Sequence, residues 1–287
     1  MRTGNAHALS LGAGWMVVAS AMFALMGVCV KSGAATFSPV ALVFWRTSLG
    51  VVSVGAAALW RRDAFATPWM RYHMQRGLIG FVSLLLSFYA MAHLPLSTAV
   101  TLTYTSPIFL AALSVVLLGE TLSRRGVTGI LLGFAGVLLL LRPTFAADAW
   151  PASLAGLLSG ALAGWSYLHV RELGRRGEAE WRVVFYFALL SSVGSAVIMA
   201  CGFAPWRTPD LASLPVLAGV GATATLGQLA MTRAYKVGNK LLAANLAYLT
   251  VVFAALLGWG LWDDALDAGK VMSMTLIVIS GIFASRR

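Results

Sequence analysis

Acidic side chains are scarce in this chain: ten Asp and Glu among 287 residues, with none inside a long apolar stretch. Charged residues of both signs amount to 11%, against about 25% in an ordinary soluble domain, while 59% of residues are hydrophobic. That composition excludes a water-soluble globular domain. Cysteine is nearly absent too, since Cys29 and Cys201 are the only two. Neither a disulfide framework nor a metal site is indicated, and two free buried thiols are expected. There is no phosphate-binding glycine loop, no zinc-ligand spacing and no serine-nucleophile elbow. No polar segment is long enough to hold a core of its own.

What is present is a series of apolar stretches of membrane-spanning length, about 20 residues each for a hydrocarbon core of about 30 Å. Ten are read, near Leu9 to Val30, Pro39 to Leu59, Gly77 to Leu94, Ser97 to Leu118, Val127 to Leu141, Ser153 to Val170, Val183 to Phe203, Leu214 to Tyr235, Leu241 to Trp262 and Val271 to Ala284. Turn residues and charges separate them, so consecutive spans are expected to be antiparallel neighbours. The first is about twice the length of a cleavable signal core and has no clear small-x-small site before Lys31, so it reads as a retained span.

Basic residues choose the orientation. With the N-terminus inside, sixteen Lys and Arg fall in cytoplasmic segments, four (Lys31, Arg142, Arg207, Lys270) fall outside, and Arg46 is left within span two. The positive-inside rule expects that split for an even number of spans with both termini cytoplasmic. It also accounts for the net charge of +11. Nucleic acid is not an expected partner, because the basic residues are scattered over loops and not gathered on one face with aromatics.

Residues 90–142 and 234–286 look like one sequence written twice. At an offset of 144 they match, among others, at Ala90/Ala234, Ala99/Ala243, Tyr104/Tyr248, Phe109/Phe253, Leu117/Leu261 and Arg142/Arg286. Five spans per copy is an odd number, so the second copy must enter the membrane inverted. The expected fold is all-α: ten transmembrane helices as two inverted five-helix repeats, residues 1–142 and 143–287, around a central cavity near the midplane.

Several motifs carry a family resemblance. The first half has Phe44-Trp45-Arg46, the stretch Ala99 to Pro107, Gly119-Glu120-Thr121-Leu122 and the glycines Gly129, Gly133 and Gly136; the second has Ala243-Ala244-Asn245-Leu246, Phe253-Ala254-Ala255 and Asp264. Val251 stands where the first half has Pro107, and Phe187 falls near where Arg46 would map. Over nearly its whole length the chain resembles the ten-span drug/metabolite transporter superfamily, in its branch of paired EamA-type repeats. The nearest likeness is to bacterial inner-membrane amino-acid exporters of the YddG type. The resemblance implies outward movement of aromatic amino acids and related compounds, with no cofactor.

Polar and aromatic residues at helical spacing are the candidate cavity walls. Span four offers Thr101 and Tyr104, span nine Asn245 and Tyr248, span six Trp165 and His169, and span eight Gln228, with Tyr89 added from span three. Hydroxyls such as Thr101 also serve as helix-helix bonds, and rings near span ends, such as His93 and Tyr235, also fit an interfacial belt. Arg46 lies some seven residues into its span, about 10 Å along the helix. It is either an anion hook for a carboxylate or an internal strut bonding helix carbonyls. No intramembrane Asp or Glu relay is present, so facilitated transport is expected unless His93 or His169 titrates.

The best enzymatic look-alike is Asp263, Asp264 and Asp267, spaced like the magnesium-holding carboxylates of prenyl transferases. The second acidic cluster such an enzyme needs is missing. Ser166 and His169 are too poorly aligned for a nucleophile and its base. A drug or nucleotide-sugar carrier of the same superfamily is the nearer alternative. Expected partners are a small-molecule substrate and the lipid bilayer; the oligomeric state stays open, a monomer among the options.

Overall fold

The computed structural model describes residues 2–94, 96–141, 149–262 and 267–285. Regular structure among them is helical throughout: α1 (Arg2–Gly33), α2 (Pro39–Trp60), α3 (Met70–His93), α4 (Leu96–Thr103), α5 (Ser106–Leu118), α6 (Arg124–Leu141), α7 (Trp150–Arg175), α8 (Glu180–Ala200), α9 (Leu214–Val237), α10 (Lys240–Leu246), α11 (Leu249–Trp262) and α12 (Ala268–Ser285). All ten expected spans are found. Spans four and nine are each broken in two, as α4–α5 and α10–α11.

Seven stretches are long and apolar enough to cross a membrane, and Ala268–Phe283 adds a shorter apolar helix. Two further helices, α3 and α7, carry polar residues: Arg71, His73, Gln75 and Arg76 near the start of α3, His169, Arg171, Glu172 and Arg175 near the end of α7. The hydropathy reading stopped both spans at those charges and assigned Arg71, Arg76, Arg171 and Arg175 to connections. A charge does not end a helix. α3 instead starts at Met70, and α7 runs on to Arg175, with Gly177 reversing the chain at φ 80, a conformation that favours glycine.

The helices pack most extensively as α1 with α9, α3 with α7, α6 with α12 and α2 with α8. Glycine makes the closest approaches. On α7, Gly156, Gly160 and Gly164 form one stripe against the broken helix: a Cβ at Gly160 would lie 2.7 Å from the Leu102 carbonyl oxygen, and one at Gly164 2.8 Å from the Leu110 amide nitrogen. Small residues at a spacing of four let backbones approach in lipid, where apolar surface alone gives helices no reason to associate. The glycines of α6 act similarly within the chain, since a Cβ at Gly133 would lie 2.6 Å from the Tyr248 ring and one at Gly136 2.7 Å from Ile277.

The two breaks have different chemistry. Pro107, near the start of α5, has no N–H to give the Thr103 carbonyl, so the ladder stops there. Thr105 meanwhile donates its hydroxyl to the Leu102 carbonyl. Between α10 and α11 no proline is present, and tight i→i+3 bonds carry the break: Tyr248 N–H to Asn245 O and Val251 N–H to Tyr248 O, at 3.1 and 3.0 Å.

Connections gather at two ends. At one, which is rich in basic residues, Arg182 donates to the Ala64 carbonyl, Arg171 binds Glu120 and Lys236 donates to the Glu178 carbonyl. At the other, Arg207 reaches the Thr36 carbonyl and Trp206 packs on Phe44 and Trp45. Cys29 is half-buried and Cys201 is exposed, so the expectation of two buried thiols fails for the second. Cys201 caps α8 at its loop end, outside the packed interior.

Candidate functional site

Tyr104 and Tyr248 sit at the breaks themselves, their ring centroids 6.4 Å apart. Tyr248 is fully buried and its hydroxyl has no hydrogen-bond partner, while Tyr104 bonds Thr250. Asn245, one residue inside the end of α10, accepts from the Ser280 hydroxyl at 3.3 Å and leaves its amide nitrogen unpartnered. A buried amide and phenol without partners are costly in the unoccupied protein. Both pack toward α12, and the Tyr248 ring also lies against Gly133 of α6.

Deeper along the bundle lies a small cavity of about 20 Å³, lined in part by Arg46, Thr47, Phe187, Thr225 and Gln228. It has room for about one water. The expectations for Arg46 and Gln228 meet here, since α2 and α9 bring them to the same wall.

Arg76 was not anticipated. It is 3% exposed, lies with its guanidinium 4.0 Å above the centre of the Phe187 ring, and has no partner for Nε. Tyr167 of α7 is in electrostatic range of both Arg46 and Arg76, and stacks on Tyr235 at 5.8 Å. No carboxylate among the described residues is ion-paired with either arginine. Residues 144 positions further along are Leu190 and Val220, so both buried charges enter from the first half of the chain. A signal was available in sequence: Gly80, four residues after Arg76, provides the room into which the guanidinium folds.

Other candidates lie elsewhere. Trp165 is 40% exposed and Tyr89 45% exposed, so neither is sealed in the interior. Trp165 neighbours His169, whose Nε2 is 3.3 Å from Gln75 Oε1, and Tyr89 lies on His93 at 4.2 Å. Thr101 is buried among the helices. The Ser166 hydroxyl donates to the Arg76 carbonyl, which ties α7 to α3 and leaves no free nucleophile for His169.

Two carboxylates organise the basic end. Glu178, in the short α7–α8 connection, is 3% exposed and accepts from the hydroxyl of Thr67, from His73 Nε2 at 3.2 Å, from Arg182 at 2.7 Å and from the Ala179 amide. Burial alone pushes its carboxyl up. The hydrogen bonds from Thr67, Arg182, His73 and Ala179 outweigh it and carry the group down to about 2. Glu178 lies outside the spans, as expected of the acids, yet it is buried among donors at the bundle's end. Glu120 receives Arg171 through two bonds of 3.0 and 2.6 Å and is also paired with Lys240. A recess of about 470 Å³ opens beside it.

Asp263 and Asp264 lie outside the described residues. Asp267 accepts from the Lys270 amide at the start of α12, as a helix cap does. Among the described residues no group of three metal-ligating side chains occurs.

Comparison with known proteins identifies the class. Residues 10–142 match the EamA-like transporter family. The pseudopaline exporter CntI of Pseudomonas aeruginosa (strain UCBPP-PA14) is 29% identical over 270 residues, covering 94% of this chain and 94% of that protein. The riboflavin transporter of Rhizobium johnstonii is 25% identical, covering 96% of this chain and 91% of that protein. A protein crystal structure superposes with a TM-score of 0.84 at 23% identity, over 96% of both chains, which shows the shared fold. Residues 10–142 thus carry an EamA-like transporter domain, and the chain is similar over nearly its whole length to multi-pass transporters of bacteria.

Proposed function

We propose that this protein exports small carboxylate-bearing metabolites, aromatic amino acids foremost, by alternating access between two inverted repeats, residues 1–142 and 143–287, with both termini cytoplasmic. The observation that carries the mechanism is that repeat mates touch. Ser48 and Ser192, 144 positions apart, share a hydrogen bond of 2.6 Å, and Tyr104 lies against Tyr248 at the same offset. The two breaks fall at matching positions, and the pairing of α1 with α9 mirrors that of α3 with α7. A pseudo-twofold axis through such contacts permits one half to rock on the other.

Cargo chemistry follows from the interior. Arg46 supplies fixed positive charge beside Gln228, and the tyrosines at the breaks supply aromatic faces, that of Tyr248 with an unpartnered hydroxyl. The curated relatives are named as carriers of other small metabolites, which supports a cargo of that size. With no carboxylate at mid-depth to relay protons, movement is gradient-driven and facilitated.

Reconstitution into liposomes with labelled phenylalanine, tryptophan, a nucleotide sugar and a cationic drug tests this. Saturable flux of the amino acids, unaffected by an imposed pH gradient, is expected. Flux of the sugar or drug alone would remove the amino-acid reading, and steep uphill accumulation driven by the pH gradient would remove the facilitated one. Replacing Tyr104 by Ala is expected to lower amino-acid flux about tenfold, the loss of one ring contact of about 1.4 kcal/mol. Trp165→Ala, at a more open position, is expected to have a smaller effect.

A further inference from the structure

We propose that Arg76 and Arg46 form a single site for a dianion, so that the preferred cargo carries two carboxylates and not one. This rests on reading the interior as the cargo path. Guanidinium groups stay charged when buried, and a buried charge must be paired or solvated. Here two of them share Tyr167 as a neighbour, repel one another, and have no carboxylate partner among the described residues. One anionic group neutralises one arginine; the other remains uncompensated.

The geometry at Arg76 is that of a held but unfilled donor. The Phe187 ring supports the guanidinium from below, and Gly80 leaves the space it occupies. Its backbone is fixed by the Ser166 hydroxyl, while its Nε donates to nothing. Phe187 also lines the cavity that Arg46 borders, so one ring lies against the Arg76 guanidinium and beside the Arg46 cavity. Arginine's planar fork suits bidentate capture of a carboxylate, and two such forks about one ring suit two carboxylates on one small molecule. An internal strut would instead satisfy its donors with helix carbonyls.

The test uses the purified full-length protein and three probes of similar size: phenylalanine, N-(carboxymethyl)phenylalanine and phenylalanine methyl ester. Concentrations giving half-maximal thermal stabilisation are compared, together with inhibition of phenylalanine counterflow. The N-carboxymethyl compound is expected to act at a concentration at least tenfold below that of phenylalanine, and the ester to act weakest. Arg76→Gln is expected to bring the ratio of the first two toward one, with Arg76→Lys between. Equal potency of the mono- and dicarboxylate in the wild type overturns the proposal, whether or not the variants fold. So does a tenfold ratio that survives in Arg76→Gln. Transport of phenylalanine without preference for the dicarboxylate removes the two-arginine site and leaves the amino-acid reading standing. Tight dicarboxylate binding with no flux of any amino acid does the reverse.

Discussion

Replacing Glu178 by alanine is expected to destabilise the folded protein by about 3–5 kcal/mol, the cost of removing one partner from a buried charged network. The loss is large because the carboxylate is a hub and not one member of a surface pair. Thr67, His73 and Arg182 come to it from the α2–α3 connection, α3 and α8. His73 is fully buried, and its Nδ1 already lacks a partner, so loss of the Nε2 bond leaves the ring with none of its polar groups satisfied. Arg182 keeps the Ala64 carbonyl and suffers less. Glu178→Gln retains acceptor and shape and is expected to fall between. The pH dependence has a definite sign. The folded protein holds this carboxyl near 2, below its ordinary value of 4.5. Its contribution is therefore complete above about pH 4.5 and is lost as pH falls toward 2. Melting curves of the detergent-solubilised protein across that range should show the wild type losing stability faster than Glu178→Gln. A Glu178→Ala variant that melts like the wild type would show that the network contributes nothing.

A leucine at Gly164 is expected to abolish the folded transporter, at a cost of at least about 3 kcal/mol from overpacking. The obstruction is backbone. A Cβ at this position meets the Leu110 amide nitrogen at 2.8 Å and the Ser106 carbonyl oxygen at 2.9 Å, both in the first turns of α5. Side chains rotate away from an intruder, but a helix start pinned by Pro107 does not. Gly160→Val meets the Leu102 carbonyl and should behave alike. Gly14, with nothing within 4 Å of its added Cβ, serves as control, and Gly14→Leu should be tolerated. Size-exclusion profiles of fluorescent fusions give the readout. A monodisperse Gly164→Leu protein with wild-type flux would mean that α7 does not hold the broken helix in this way.

The spans were legible because solvation by lipid is a local demand, written into each 20-residue stretch whatever its neighbours. Half of the discontinuity was legible as well. Pro107 announces the break in span four, whereas Val251 gives no sign of the one in span nine, which depends on how Asn245 and Tyr248 are packed against Ser280 and Gly133. Arg76 was misplaced, and the burial of Glu178 within its connection was missed, for one reason: charge was taken as a mark of water. In the folded chain the first lies against an aromatic face and the second among donors from three elements, and no window of sequence displays those pairings. The glycine stripe Gly156, Gly160 and Gly164 was open to reading by its spacing alone. Of the wall residues, Arg46, Gln228, Tyr104, Tyr248 and Asn245 lie on interior faces. Trp165 and Tyr89 are the more exposed of the set, and helical spacing says which residues share a face and not which way that face turns.

Both interior arginines descend from one half of the chain, opposite the uncharged Leu190 and Val220. In the proposed twofold frame, charge on a single side gives a head and a tail. A solute seated there as proposed is gripped at its acidic end and merely touched at the other, so it travels in one attitude.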